Sequence, residues 1–285
     1  ASIYRKSLFV VAFSTVSLKN GCNAWTGARD KCALPPESKL QFMCHICQKR
    51  PTQQLFRNIS PLPLPDALVL DLDGTLIDSA ADLADASNSL LAERGLTAVS
   101  LDAVRGMIGD GLGMLAFRAL TAAGAPPEPS EVPLLAARLL HHYIEPSRVP
   151  RTEVFPGVPE TLAAFAAAGV KLGLCTNKAQ AATELVLKKT DLERYLDCVI
   201  GQDVAPRPKP DAAHVEAVLS LLGSPGQAVM VGDSINDLKA GRAAGLPVIL
   251  VTYGYGTPEA LAEADATIDH FSNLPEALAK LGFTA

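Results

Sequence analysis

The stretch Ala67-Leu68-Val69-Leu70-Asp71-Leu72-Asp73-Gly74-Thr75-Leu76 constrains this chain more than any other. Its apolar start has the composition of a strand buried on both faces, as in a parallel sheet covered by helices. Two carboxylates follow two residues apart, and the chain turns at once on a glycine. Residues i and i+2 of a strand project to the same side, so both acids leave the strand's carboxyl end together. Open parallel sheets bind ligands at that end. Like charges held so close repel unless a cation sits beside them, so the stretch predicts the rim of a metal-assisted site.

The rest of the chain divides around this strand. Residues 1–64 carry nine Lys/Arg against two Asp/Glu, a net +7, whereas residues 65–285 carry sixteen against twenty-eight, a net −12. We expect residues 1–64 to be a disordered basic leader, bounded by Pro61, Pro63 and Pro65. Arg5-Lys6 before Leu8-Phe9-Val10-Val11 has the order of a targeting segment, but no small-x-small cleavage site follows. Cys44-His45-Ile46-Cys47 has the gap of a zinc knuckle. Cys22 and Cys32 offer no regular second pair, so incidental cysteines are the plainer reading. The acidic body argues against a nucleic-acid surface, and the absence of a long apolar run argues against a membrane span. Cys175 and Cys198, in strand-like runs without a disulfide framework, suit a reducing compartment. The expectation is a cytoplasmic protein, monomer or homodimer, with organellar or secretory targeting by the leader as the alternative.

Helical patterns follow the first strand at about 79–94, 101–107, 111–123 and 131–144. Ser79 is expected to cap the first of them and Gly95 to end it. From Val154 onward, strands near 170–175, 198–200, 228–232, 248–251 and 266–268 alternate with helices. That alternation implies an α/β protein, a doubly wound parallel sheet with a Rossmann-like core and an inserted all-helical cap. The expected boundaries are 65–79 and 152–285 for the core and 80–151 for the cap.

In such a fold the residues after each strand collect along one edge. That edge would hold Asp71 and Asp73, Thr176-Asn177-Lys178, Lys209 in Arg207-Pro208-Lys209-Pro210, and Gly232-Asp233-Ser234 with Asp237 one helical turn on. Taken singly, each is an ordinary turn, cap or surface charge; together they provide four acids, lysine, a hydroxyl and an amide. An ionised aspartate can attack phosphorus, a second carboxyl can carry the proton, and the cationic and polar groups can hold phosphoryl oxygens. Carboxylates and water are also the ligands Mg²⁺ prefers.

These four motifs resemble those of the haloacid dehalogenase-like superfamily over about residues 66–282, and most nearly those of its phosphoglycolate phosphatases. The resemblance implies that Asp71 is the nucleophile and a Mg²⁺ ligand. It makes Asp73 the general acid/base, with its backbone carbonyl on the metal. It makes Asp233 the third protein ligand and Asp237 an auxiliary acid, with Thr176, Asn177 and Lys209 binding the phosphoryl group. It further implies hydrolysis of a small phosphorylated metabolite, 2-phosphoglycolate first, with a phosphatase or mutase acting on pyrophosphate, a sugar phosphate or a nucleotide as the alternative. The third motif departs from its usual Lys-Pro-x-Pro form at Ala212, which leaves Arg207 as a rival to Lys209; spacing to Gly223 favours Lys209. Asp73 separates the chain from dehalogenases, and the lack of lysine between Asp73 and Val170 separates it from hydrolases that use a cap Schiff base. Arg118 and the Gly109–Gly113 loop are candidates for a substrate carboxylate. A catalytically silent binding module is the competing class, and the intact Asp71, Asp73 and Asp233 speak against it.

Overall fold

The computed structural model describes residues 64–145 and 150–283. The expectations for residues 1–63 lie outside the described residues. Six strands form one parallel sheet in the order β5-β4-β1-β6-β7-β8. They are β1 (Ala67–Leu70), β4 (Lys171–Cys175), β5 (Cys198–Ile200), β6 (Ala228–Gly232), β7 (Val248–Val251) and β8 (Ala266–Ile268). β1 lies between β4 and β6, all four of its residues buried. Alternate side chains enter opposite layers. Leu68, Leu70, Leu172, Leu174, Val229 and Val231 join one apolar cluster, and Val69, Cys175 and Met230 join the other. Helices cover both faces, and α7 (Ala212–Leu221) and α8 (Ile235–Ala243) supply Val215, Val218 and Leu238 to the second cluster. The fold class read from the alternation is therefore correct. Cys175 is buried and Cys198 partly so, and both thiols are free.

The register explains why the strand ends meet. Leu70 pairs with Leu174 on one side and with Val231 on the other, so Asp71, Cys175 and Gly232 stand level across three strands. The Asp71 amide donates to the Val231 carbonyl at 2.9 Å. The polar residues that follow β1, β4 and β6 therefore open on one edge.

Between β1 and β4 lies the helical insert. It comprises α1 (Ala80–Glu93), α2 (Leu101–Arg105), α3 (Leu112–Ala122) and α4 (Val132–Tyr143). Leu90, Leu91, Leu115, Leu120, Leu135 and Leu139 are buried within it. α3 lies close against α4, because a Cβ on Gly113 would stand 2.8 Å from the Val132 side chain. Two strands unforeseen in the sequence bracket the insert: β2 (Ile77–Asp78) pairs antiparallel with β3 (Glu153–Val154). Two residues are too few to display a period. Asp82 strengthens the same junction, accepting from the Arg151 amide at 2.9 Å and the Thr152 amide at 3.0 Å.

Ser79 does not cap α1, contrary to expectation. Its backbone (φ −106°, ψ 3°) is not that of a usual cap, and its hydroxyl donates instead to Asp73. The helix start is held by the Tyr255 hydroxyl, which accepts from the Ser79 and Ala80 amides at 3.0 and 3.2 Å, and by Asp78, which accepts from Ala80 at 3.1 Å. The remaining helices are α5 (Val158–Ala167), α6 (Gln180–Thr190), α9 (Pro258–Glu263) and α10 (Leu274–Lys280). Among the described residues no helix is long and apolar enough to cross a membrane.

One buried group makes the fold sensitive to acid. His214 in α7 is fully buried, with one ring nitrogen 3.1 Å from the Ile200 carbonyl. Burial, with the nearby Lys209 charge, depresses its pKa to about 4. The unfolded chain takes up this proton near pH 6.5, the folded one only near 4, so the stability it contributes is full above pH 6.5 and falls as pH drops through that window. His214→Gln is expected to remove on the order of 3 kcal/mol of the pH dependence between pH 7 and 4. Urea midpoints of both proteins at the two pH values measure the difference.

Candidate active site

The site is built from strand ends. After Asp71 the chain makes a tight turn in which Leu76 and Ile77 donate to the Leu72 carbonyl, and Gly74 donates to the Ile77 carbonyl at 2.9 Å. Gly74 takes φ +86°, and a Cβ there would stand 2.2 Å from an Asp233 carboxylate oxygen. Only glycine lets the first acidic turn approach the end of β6 this closely. Gly254 meets Asp233 from the other side, where a Cβ would lie 2.4 Å from the Asp233 Cβ.

Asp71, Asp233 and Asp237 each place a carboxylate oxygen within 4.8 Å of the others, and all three are buried. Lys209 Nζ donates to Asp71 Oδ1 at 2.7 Å and to Asp237 Oδ1 at 2.6 Å. Burial alone would depress Lys209; Asp237 and Asp71 more than offset it, so its pKa is raised and the ammonium persists. Three acids share that one charge. Burial is the largest influence on Asp71, pushing its carboxyl up to about 7 against the attraction of Lys209 and with the repulsion of Asp237. Burial, then Asp237 and Asp71, raises Asp233 well above the usual carboxylate range.

The excess negative charge fits a divalent cation, the group the sequence motifs imply. Asp237 is the least available ligand of the three. Its second oxygen already accepts from the Asp233 amide at 3.2 Å, the Ser234 amide at 3.0 Å and the Ser234 hydroxyl at 2.7 Å, closing the start of α8. Asp71 and Asp233 retain free lone pairs. Asp233 Oδ2 accepts from the Tyr255 amide at 2.6 Å.

Asp73 stands apart from this cluster. Its carboxylate faces Lys178, whose Nζ lies 3.1 and 3.2 Å from the two oxygens, and accepts from the Ser79 hydroxyl. Thr176 is buried, and its hydroxyl accepts from the Lys178 amide at 3.2 Å. The Asn177 side chain is fully engaged: its amide donates to the carbonyls of Lys209 and Gly109, both at 2.9 Å, and its oxygen accepts from the Lys209 amide at 3.1 Å. It orients Lys209 and ties the core to the insert, so its side chain has no donor left for a ligand. Arg207, the rival to Lys209, pairs with Asp211 at 2.7 Å with its side chain 70% exposed.

One cavity joins these groups. Asp71, Asp73, Thr176, Lys178, Lys209 and Asp233 line its floor, and Leu83, Ile108, Leu112 and Leu115 of the insert form an apolar roof. Arg118 is not part of it. The guanidinium donates to the Met107 carbonyl at 2.8 Å and pairs with Asp110, which itself accepts from Asn236 at 2.8 Å. Arg118, one of two candidates for a substrate carboxylate, is thus held by partners within the insert. Gly109 and Gly111 do line the cavity.

Sequence reasoning left Lys178 and Tyr255 without roles. Lys178 stood in the strand-end triplet, but its direction depends on how the loop leaves β4. Tyr255 stood outside the four motifs, and its partners, Asp233, Asp78 and the start of α1, are remote in sequence.

A parallel sheet with β1 at its centre, four clustered strand ends and a helical roof define a hydrolase fold, and the family model for haloacid dehalogenase-like hydrolases matches residues 68–251. The chain belongs to this family and is an enzyme of its phosphatase kind. It is 40% identical over 213 residues to a protein from Caulobacter vibrioides named phosphoglycolate phosphatase, covering 74% of this chain and 89% of that one. A Rhodospirillum rubrum protein of the same name is 39% identical over 217 residues, covering 74% and 90%. The crystal structure of a predicted phosphoglycolate phosphatase from Haemophilus somnus superposes with a TM-score of 0.66 at 29% identity, covering 74% of this chain and 96% of that chain.

Proposed function

We propose that this chain hydrolyses a small phosphomonoester, 2-phosphoglycolate before other substrates, through an aspartyl-phosphate on Asp71. The observation that carries the reading is Asp71 itself, buried at the end of β1 with Lys209 Nζ at 2.7 Å and the Asp233 carboxylate beside it. Asp71 attacks phosphorus, and the bond to the leaving oxygen breaks as Asp73 delivers a proton to that oxygen. Asp73 then takes a proton from the water that attacks the acyl-phosphate, which releases phosphate and restores Asp71. Thr176, the Asn177 main-chain N–H and Lys209 hold the phosphoryl oxygens while charge shifts among them. Mg²⁺, held by the Asp71 and Asp233 carboxylates and the Asp73 carbonyl, would neutralise the phosphoryl charge that these acids otherwise repel. The helical insert is the cap, excluding water from the acyl-phosphate.

The apolar roof supports a short leaving group. Leu83, Ile108, Leu112 and Leu115 offer no side-chain partner for sugar hydroxyls or a nucleobase edge, and the main chain at Gly109 and Gly111 in the same lining is the candidate for a substrate carboxylate. The relatives' names point to 2-phosphoglycolate. A screen with Mg²⁺ tests the proposal: kcat/KM for 2-phosphoglycolate is expected to exceed that for pyrophosphate, hexose phosphates and nucleoside monophosphates by at least about tenfold. Preference for a hexose phosphate would reject the substrate, and transfer of the phosphoryl group within a sugar would make the enzyme a mutase.

A further inference from the structure

We propose that Lys178 is a positioning residue for Asp73, and that Tyr143, the last residue of α4, holds Lys178 in place. The inference rests on the reading of Asp73 as the proton carrier. The Lys178 side chain is 1% exposed, with Nζ between the Asp73 carboxylate and the face of the Tyr143 ring, 4.4 Å from its centroid. An ammonium so far from water is retained only where a carboxylate and a π-face replace its hydration.

Asp73 needs such a partner. Its turn leaves the carboxylate beyond the reach of Lys209, which is engaged with Asp71 and Asp237. Two groups hold it instead, the Ser79 hydroxyl and Lys178. Ser79 immediately precedes α1, and Tyr143 ends α4. The two chain ends of the insert therefore converge on one carboxylate, one directly and one through a lysine of the core. Docking of the insert then does more than roof the cavity: it aims the group that protonates the leaving oxygen. A rotation of Asp73 by one rotamer would leave the cluster of Asp71, Asp233 and Lys209 intact while the proton lost its path.

The chemistry supplies a selective test on the full-length chain. Departure of an alkyl oxygen needs the proton, whereas p-nitrophenolate leaves as a stabilised anion with little need of it. We expect Lys178→Met to lower kcat/KM for 2-phosphoglycolate and for glycerol phosphate alike by about 30- to 100-fold, and for p-nitrophenyl phosphate by less than about fivefold. Tyr143→Leu should give the same ester dependence at about tenfold, and Lys178→Arg should recover part of the loss. Equal losses on all three esters would overturn the proposal. So would a loss confined to the carboxylate-bearing ester, since Lys178 would then be a substrate anchor. If Lys178→Met does not fold, the Tyr143→Leu profile decides between the same outcomes. Asp73→Asn is the control: if it shows no ester dependence, the reading of Asp73 itself fails. If it does and neither Lys178→Met nor Tyr143→Leu follows, only the present inference fails.

Discussion

Asp71→Asn is expected to abolish turnover, by at least about 10³-fold, while making the metal-free protein more stable near pH 7. The two effects have one cause. Burial holds the Asp71 carboxyl up to about 7, well above its value of 3.8 in an unfolded chain. Below pH 3.8 the acid is protonated in both states and costs nothing. As pH rises from 3.8 to 7 the unfolded chain releases its proton first, so stability is progressively lost, on the order of 3–4 kcal/mol by neutral pH. An amide has no such proton to lose and occupies the same space. Between pH 4 and 7 this loss opposes the gain from His214, so urea unfolding in EDTA should show stability rising more from pH 4 to 7 in Asp71→Asn than in the wild type, by on the order of 3 kcal/mol. Mass spectrometry of enzyme quenched in acid during turnover should find the acyl-phosphate in the wild type alone. A variant that still turned over substrate, or still carried phosphate on this residue's peptide, would remove Asp71 from the mechanism.

Lys209→Ala is expected to fail in both respects, losing about 10²- to 10³-fold in kcat and several kcal/mol in stability. The ammonium is buried between Asp71 and Asp237, and without it three acids face one another with no counter-charge. Breaking a buried pair on one side commonly costs about 3–5 kcal/mol, because the remaining charge stays buried. Mg²⁺ should restore part of that stability, since Asp71 and Asp233 both gain from a cation. Arg207→Ala provides the contrast. Its partner Asp211 is a surface group, and loss of the exposed, solvent-screened pair should leave stability and activity little changed. Denaturant midpoints and kcat for the two variants measure the difference. The opposite ranking, Arg207 essential and Lys209 dispensable, would place the phosphoryl-binding cation two residues earlier in the loop.

The sequence carried much of the site because local rules govern much of it. The two-residue period of β1 put Asp71 and Asp73 at its carboxyl end, and the alternation of helices and strands brought Thr176, Lys209 and Asp233 to the same edge. What misled was also local. Ser79 followed by a helical pattern is a capping signal, but the hydroxyl found the partly buried Asp73 carboxylate and a tyrosine from a distant loop took over the cap. Arg118 was one candidate for a substrate carboxylate, and its pairing with Asp110, eight residues earlier, could not be read from the helical pattern. The β2–β3 pair was invisible because each strand has only two residues and the insert separates them.

For the opening stretch, the sequence by itself determined that two acids leave a buried strand together, because side chains in a strand alternate with a fixed period. Only the tertiary structure decided that the two have different surroundings. Lys209, 138 residues away, meets Asp71, and Lys178, 105 residues away, meets Asp73. Such pairings arise from sheet register and from the docking of the insert. Both are set by burial of apolar surface across the whole domain and leave no mark in the spacing of neighbouring residues.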